Sequence, residues 1–186
     1  MNLSRQAILT TALAILDQYG LPDLSMRRIA SSLGVQPGAL YWHFASKQDL
    51  LAAMADAILD SLPPATGGTE ELRDWAQHLD SILLAHHDGA ELVWSVQCLR
   101  PWQAGLGFPV EQALVAAGVS PGQARAGAEG LLHLVLAHAF DQDQRRQAIR
   151  LNVVPFEPSN PTPALGDTVA IFVAGLQATA ADGTPC

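Results

Sequence analysis

The sequence predicts an all-α chain. Apolar residues recur at helical spacing almost throughout, serine caps and glycine stops punctuate them, and no convincing strand, repeat or glycine-rich phosphate loop interrupts the pattern. The architecture expected is a three-helix helix-turn-helix domain over residues 1–48, followed by a helical bundle over residues 49–186. With 186 residues, 49% of them apolar and 15% charged, the chain has ample core-forming material and too few charges for a disordered or coiled-coil protein.

The elements follow in order. Ile8, Ala12, Ile15 and Tyr19, flanked by Leu9, Leu13 and Leu16, mark a first helix that Gly20 and Pro22 stop. Ser25 caps a short second helix carrying Met26, Ile29, Ala30 and Leu33, and Gly34 ends it. Pro37 suits the first turn of a third helix, where its missing N–H costs nothing, and that helix is expected to reach about Phe44. Ser46 and Asp49 have capping-box spacing and open a fourth helix over 46–62, striped by Leu50, Leu51, Met54, Ile58 and Leu62. Two prolines and two glycines between Pro63 and Gly68 make the clearest boundary in the chain. Five more helices are expected at about 70–87, 89–99, 109–117, 122–143 and 165–180, with the proline-rich stretch 152–163 as a mobile loop.

Net charge is -8, but it is unevenly spread. Residues 1–48 hold Arg5, Arg27, Arg28 and Lys47 against Asp17 and Asp23, a balance of +2, and the remainder carries -10. A weakly basic head suits phosphate, while an acidic body favours solubility. So few cations release few counterions, so tight binding to nucleic acid requires paired heads. The longest apolar run, Leu131 to Phe140, is too short to span a bilayer. The apolar stretch Ala7 to Leu16 lacks the flanks and cleavage site of a signal peptide, so a soluble cytoplasmic protein is expected. Cys98 and Cys186 lie far apart and lack metal-ligand spacing, which argues against a disulfide framework.

Residues 24–47 carry most of the information. Gly34 permits a sharp turn between two short helices, and Leu40, packing with Ile29, Leu33 and Val35, would pin the third. Pro37 opens that helix, and its outer face presents Gln36, Gly38, Ala39, Tyr41, Trp42 and His43. Small residues at 38 and 39 allow deep entry into a major groove, where Gln36 reaches base edges and Ala39 a thymine methyl. Tyr41, His43, Arg27 and Lys47 are the right types for phosphate contacts. The rival reading of Tyr41, Trp42 and Phe44 is as core aromatics of a bundle, which suits Phe44 best.

The run Arg28-Ile-Ala-Ser-Ser-Leu-Gly-Val-Gln-Pro-Gly-Ala-Leu-Tyr-Trp-His-Phe, followed by Lys47 and Leu50-Leu51, resembles the DNA-binding domain of the tetracycline-repressor (TetR) family. Tyr41-Trp42-His43, His86-His87-Asp88-Gly89-Ala90 and Phe172-Val-Ala-Gly175-Leu176 resemble the tetracycline repressors within it. The resemblance implies a small-molecule pocket among the C-terminal helices and a four-helix dimer interface. Ligand entry would move the fourth helix, change the separation of the heads and release operator DNA. The tetracycline binders hold a drug–magnesium complex through histidines and an acidic residue. His133 and Asp141 match two such positions, but Val93 stands where another metal-binding histidine belongs. The expectation is therefore an apolar or aromatic effector bound without metal or other cofactor.

Trp75, Leu79, Trp94, Cys98, Trp102, Phe108, His133 and Phe140 are the candidate effector contacts, with His138 nearby. Ordinary core packing is the competing reading for each of them, and an interface role competes for His133. The adjacent His86, His87 and Asp88 are assigned to capping and loop contacts rather than metal, since neighbouring helical histidines diverge by about 100°. Homodimerisation is expected through the helix near 122–143 and the last helix, using Leu131, Leu132, Val135, Ile171, Phe172 and Leu176. Two alternatives come from other classes: a helical interaction protein, and a metal-dependent enzyme using His133, His138 and Asp141. The absence of a nucleophile elbow or complete ligand set counts against catalysis.

Overall fold

The structure is a computed structural model and describes residues 3–153 and 164–181. Those residues form nine α-helices and one short 3₁₀ turn, with no strand among them. The predicted loop at 152–163 lies almost entirely outside the described residues, as does Cys186. No helix among the described residues is long and apolar enough to cross a membrane.

The chain divides into two compact units. The first comprises Met1–Ser61 and Ile82–Cys98. Helix α1 (Arg5–Tyr19) is capped by Ser4, whose hydroxyl accepts from the Ala7 amide, and it buries Ile8, Ala12, Ile15 and Leu16. Tyr19, expected on the same face, is exposed and lies under the Arg28 guanidinium instead. Helix α2 (Met26–Leu33) starts at a Ser25 cap and ends at Gly34, whose left-handed φ of 67° would strain most other residues. Helix α3 (Pro37–Leu40) stops a turn before the predicted Phe44. Its bonds are mostly of the tight i to i−3 kind (Ala39 to Gln36, Tyr41 to Gly38, His43 to Leu40), so the segment winds into turns rather than a continued α-helix.

Helix α4 (Lys47–Leu59) begins at the predicted Ser46 cap, whose hydroxyl accepts from the Asp49 amide. It ends short of Leu62, where the residue before Pro63 is biased away from helical backbone. The second portion of this unit holds the end of α5 (Thr69–Leu84) and all of α6 (Gly89–Gln97). Helix α6 packs on α4, and α1 packs on both α2 and α4.

The second unit comprises Leu62–Ser81 and Leu99–Cys186. It contains most of α5, the 3₁₀ turn Trp102–Ala104, α7 (Gly107–Ala116), α8 (Pro121–Arg150) and α9 (Leu165–Ala181). Helix α7 lies along α8, and α8 along α9. Two glycines set that second approach: a Cβ at Gly127 would fall 2.7 Å from a Leu176 methyl, and one at Gly130 would fall 2.7 Å from the Phe172 ring. Leu131, Leu132 and Val135 are buried within this chain, so they are core here and not surplus apolar surface. Helix α8 runs two turns beyond its expected end. The apolar period fades near Asp143, but residues 144–150 contain no breaker, and the Asp141–Arg145 pair supports the helix one turn apart.

Candidate nucleic-acid interface and effector-binding residues

Construction of the reading surface begins with the buried side chains of the head. Ile8, Leu24, Ile29, Leu40 and Phe44 are all buried, with α3 packed on α2 and α2 on α1. That leaves the opposite side of α3 and its following turn in solvent. Gln36 stands at the front of α3 and makes no side-chain cap bond. Gly38 has open space around its Cα, so nothing on the protein side hinders close approach there. Ala39 and Pro37 are half-buried beside it, and His43 likewise at the rear. Tyr41 is exposed, and Trp42 is 90% exposed. Arg27 and Lys47 are exposed at the edges of the same unit. The nine residues expected to meet DNA thus occupy the α2–α3 turn unit and the start of α4.

Two of the four head cations are bonded to other groups of the head. Arg28 forms an ion pair with Asp23 and lies over the Tyr19 ring. Arg5 donates from Nη1 to the His43 carbonyl at 2.9 Å and stacks over Phe44. Arg28 and Arg5 therefore act chiefly as struts, a distinction that charge counting misses.

The His86-His87-Asp88 turn does make loop contacts, but Asp88 caps nothing with its side chain. Its backbone takes a left-handed φ of 54°, and its buried carboxylate accepts from the Leu21 amide at 2.8 Å. Gly20 makes room, since a Cβ there would sit 2.6 Å from the same carboxylate. His86 Nδ1 lies 3.0 Å from Asp17, and the His87 amide donates to Asp17 as well. The turn before α6 is thereby tied to the corner between α1 and α2.

The expected effector contacts fall on several elements. In the second unit Trp75 and Leu79 are buried on α5, with Trp75 Nε1 donating to the Pro63 carbonyl at 3.0 Å. Trp102 donates to Glu111, lies under the Arg125 guanidinium, and packs so closely on Gly107 that no Cβ fits there. Phe108 follows on α7, half-buried. His133 and Phe140 sit two turns apart on α8, both exposed. In the first unit Trp94 and Cys98 share an exposed face of α6 one turn apart, whereas Val93 is fully buried. The residues proposed for an enzyme are otherwise engaged: His138 Nδ1 lies 2.9 Å from Asp80, and Asp141 accepts from Arg145.

The family model described as "Bacterial regulatory proteins, tetR family" matches residues 8–54. The class G tetracycline repressor protein of Vibrio anguillarum is 30% identical over 155 residues, covering 76% of this chain and 70% of that repressor. The chain belongs to the tetR family. This family member is also 39% identical to the class C tetracycline repressor protein of Escherichia coli, over 49% of its own length; the match spans a little under half of that relative, 44%. Among solved structures, BioQ with its double-stranded DNA operator superposes with a TM-score of 0.75 at 34% identity, covering 95% of this tetR-family chain and 99% of BioQ.

Asp88→Ala removes the acceptor of the Leu21 amide and is expected to destabilise this tetR-family chain by about 1–3 kcal/mol in urea unfolding. Asp88→Asn, which keeps an acceptor and tolerates left-handed backbone, is expected to recover most of that deficit. Equal stability of Asp88→Ala and wild type would show that the link carries no weight.

Proposed function

We propose that this chain is a transcription repressor of the cytoplasm, a homodimer that binds near-palindromic operator DNA and is released by a small apolar or aromatic effector. The observation that carries the reading is the solvent-facing set on and around α3. A tryptophan left 90% exposed beside Tyr41 and Gln36, on a turn fixed from behind by Leu40 and Phe44, is costly for a monomer and apt for a groove. The likeness to BioQ with its operator supports the same reading. Paired heads would sit in successive major grooves about 34–36 Å apart. Selection of random duplexes is expected to enrich a two-fold symmetric site. Lys47→Ala is expected to weaken binding on all sequences alike, flattening the salt slope by about 0.9 for each phosphate no longer neutralised, whereas Gln36→Ala relaxes preference at one base position. Failure to enrich any sequence refutes the proposal.

The proposed dimer surface lies on α8 and α9 rather than on the buried leucines of α8. Ile171 is 76% exposed, and Ala174, Gly175 and Ala178 continue its face of α9. Ala126, His133, Ala137 and Phe140 are exposed on α8 at matching helical spacing. Small residues flanking one large apolar group suit close helix packing in a bundle. Ile171→Glu, placing a charge on that face, is expected to give monomer in sedimentation experiments; an intact dimer excludes this face.

The effector would contact Trp75, Leu79, Trp94, Cys98, Trp102, Phe108, His133 and Phe140, with no metal. Val93, buried and apolar, offers no imidazole to an ion. Helix α6, which carries Trp94, packs on α4 within the first unit, so an effector seated against Trp94 would act on the head through these two helices. An effector favouring the released form by about 3 kcal/mol would shift DNA affinity over 100-fold. Binding of an aromatic effector is expected to quench tryptophan fluorescence with an affinity that EDTA leaves unchanged. Release from DNA by tetracycline only with magnesium present would overturn this part.

A further inference from the structure

Helix α3 has four residues and no side-chain cap at its front. A segment of that length has no cooperative helical stability of its own. Behind it, the amides of His43 and Phe44 both return to the Leu40 carbonyl, at 2.9 and 3.0 Å, and the His43 carbonyl accepts from a side chain of α1. Arg5, in the first turn of α1, donates to that carbonyl at 2.9 Å while its guanidinium lies 4.1 Å from the centre of the Phe44 ring. Phe44 is itself buried, so the stacked plane has a fixed floor. The planar guanidinium is suited to both tasks together, stacking and directed donation.

We propose that Arg5 is a positioning residue for DNA reading: it clamps the rear of the Tyr41–Trp42–His43 turn and so fixes where those side chains meet the groove. It is not a phosphate contact. One face of its guanidinium is on Phe44 and one N–H is committed to the backbone. Its remaining edge opens on a groove of about 390 Å³ lined by His43, Phe44, Ala52 and the carboxylates of Asp49 and Asp56, which repel a phosphate. Among the four cations of the head, then, Arg5 contributes to selectivity without contributing to counterion release. The inference rests on the DNA-binding function proposed above.

The test compares wild type, Arg5→Met and Arg5→Lys on the duplex that wild type selects and on unrelated duplex, over a salt series. Arg5→Met keeps an apolar stem over Phe44 but has no donor. It is expected to bind the selected duplex about tenfold more weakly, with unrelated duplex within about twofold of wild type, as when a single base pair of a site is mismatched. Its salt slope on unrelated duplex is expected to match wild type, and Arg5→Lys, which restores a donor, is expected to restore discrimination. Should Arg5→Met not fold by circular dichroism, Phe44→Leu, which removes the ring beneath the guanidinium but keeps a core apolar group, is read by the same criteria. Weaker binding on all sequences with a slope flattened by about 0.9 per head marks a phosphate contact and overturns the proposal. Unchanged selectivity in the folded variant also overturns it, leaving Arg5 a purely structural role. If wild type enriches no sequence at all, the proposed function fails instead, and the two failures are thus distinct.

Discussion

The corner between α1 and α2 depends on a carboxylate that comes from 67 residues further along the chain. The Leu21 amide, one residue past the Gly20 cap of α1, donates to the buried Asp88 carboxylate. Without that acceptor a polar group would be left short of a partner, at a cost of about 1–3 kcal/mol. The geometry is demanding on both sides. Gly20 has no room for a Cβ, and Asp88 needs left-handed backbone to turn its carboxylate toward the corner. Asp17, engaged by His86 and by the His87 amide, adds a second tie at the same place. The orientation of α2, and through it of α3, is therefore set partly by the turn that starts α6.

That dependence gives the head a mechanical link as well as a stabilising one. Helix α6 meets the head twice within the first unit: by packing along α4, and by the Asp88 turn at its own start. Any shift of α6 along its axis must move both or break a bond to the Leu21 amide. A packed interface with two such attachments tends to move as a body rather than bend. On the proposed function, this is how a modest effector energy would become a displacement of the reading turn.

The sequence made much of this legible and hid the rest for identifiable reasons. Caps at Ser25 and Ser46 and the glycine stop at Gly34 are local chemistry, so both ends of α2 and the start of α4 were readable to within a residue. The end of α3 was not, because Tyr41, Trp42 and His43 are compatible with helix and only the tight turn bonds exclude it. The far end of α8 escaped because periodicity tracks burial, and a solvated helical end such as 144–150 has none. Residues of the proposed reading face were picked out by type and spacing, and the structure leaves Gln36, Gly38, Tyr41 and Trp42 among them exposed. Struts such as Arg5 and Arg28 were counted with the basic charge, because nothing in a linear sequence reveals that Phe44 and Tyr19 lie beneath them. The partner of Asp88 was equally invisible: a bond across 67 residues leaves no local trace, although the left-handed preference of aspartate before Gly89 was a hint.

The charge pattern acquires a different meaning once the struts are set aside. Arg5, though exposed, and Arg28 are bonded within the head, which leaves Arg27 and Lys47, both exposed, as the other cations of the described head, and Asp49 and Asp56 stand close behind on α4. A single head of this kind draws little from the phosphate backbone, about 0.9 of salt slope per cation engaged. On the proposed function, its hold on DNA would come from fitted contacts of the turn, and useful affinity from two heads acting together, where the second binds at high effective concentration. Such avidity vanishes when geometry forbids simultaneous engagement. A regulator built on weak heads therefore needs only a change in head placement, not destruction of either binding surface, to let go. The same weakness makes accurate placement of the turn valuable, because fitted contacts forfeit more than long-range charge does when displaced by an ångström. On the proposed function, the arginines bonded within the head and the acidity of the body would serve one design: electrostatic grip is kept low, so recognition would rest on geometry that a neighbouring helix can disturb.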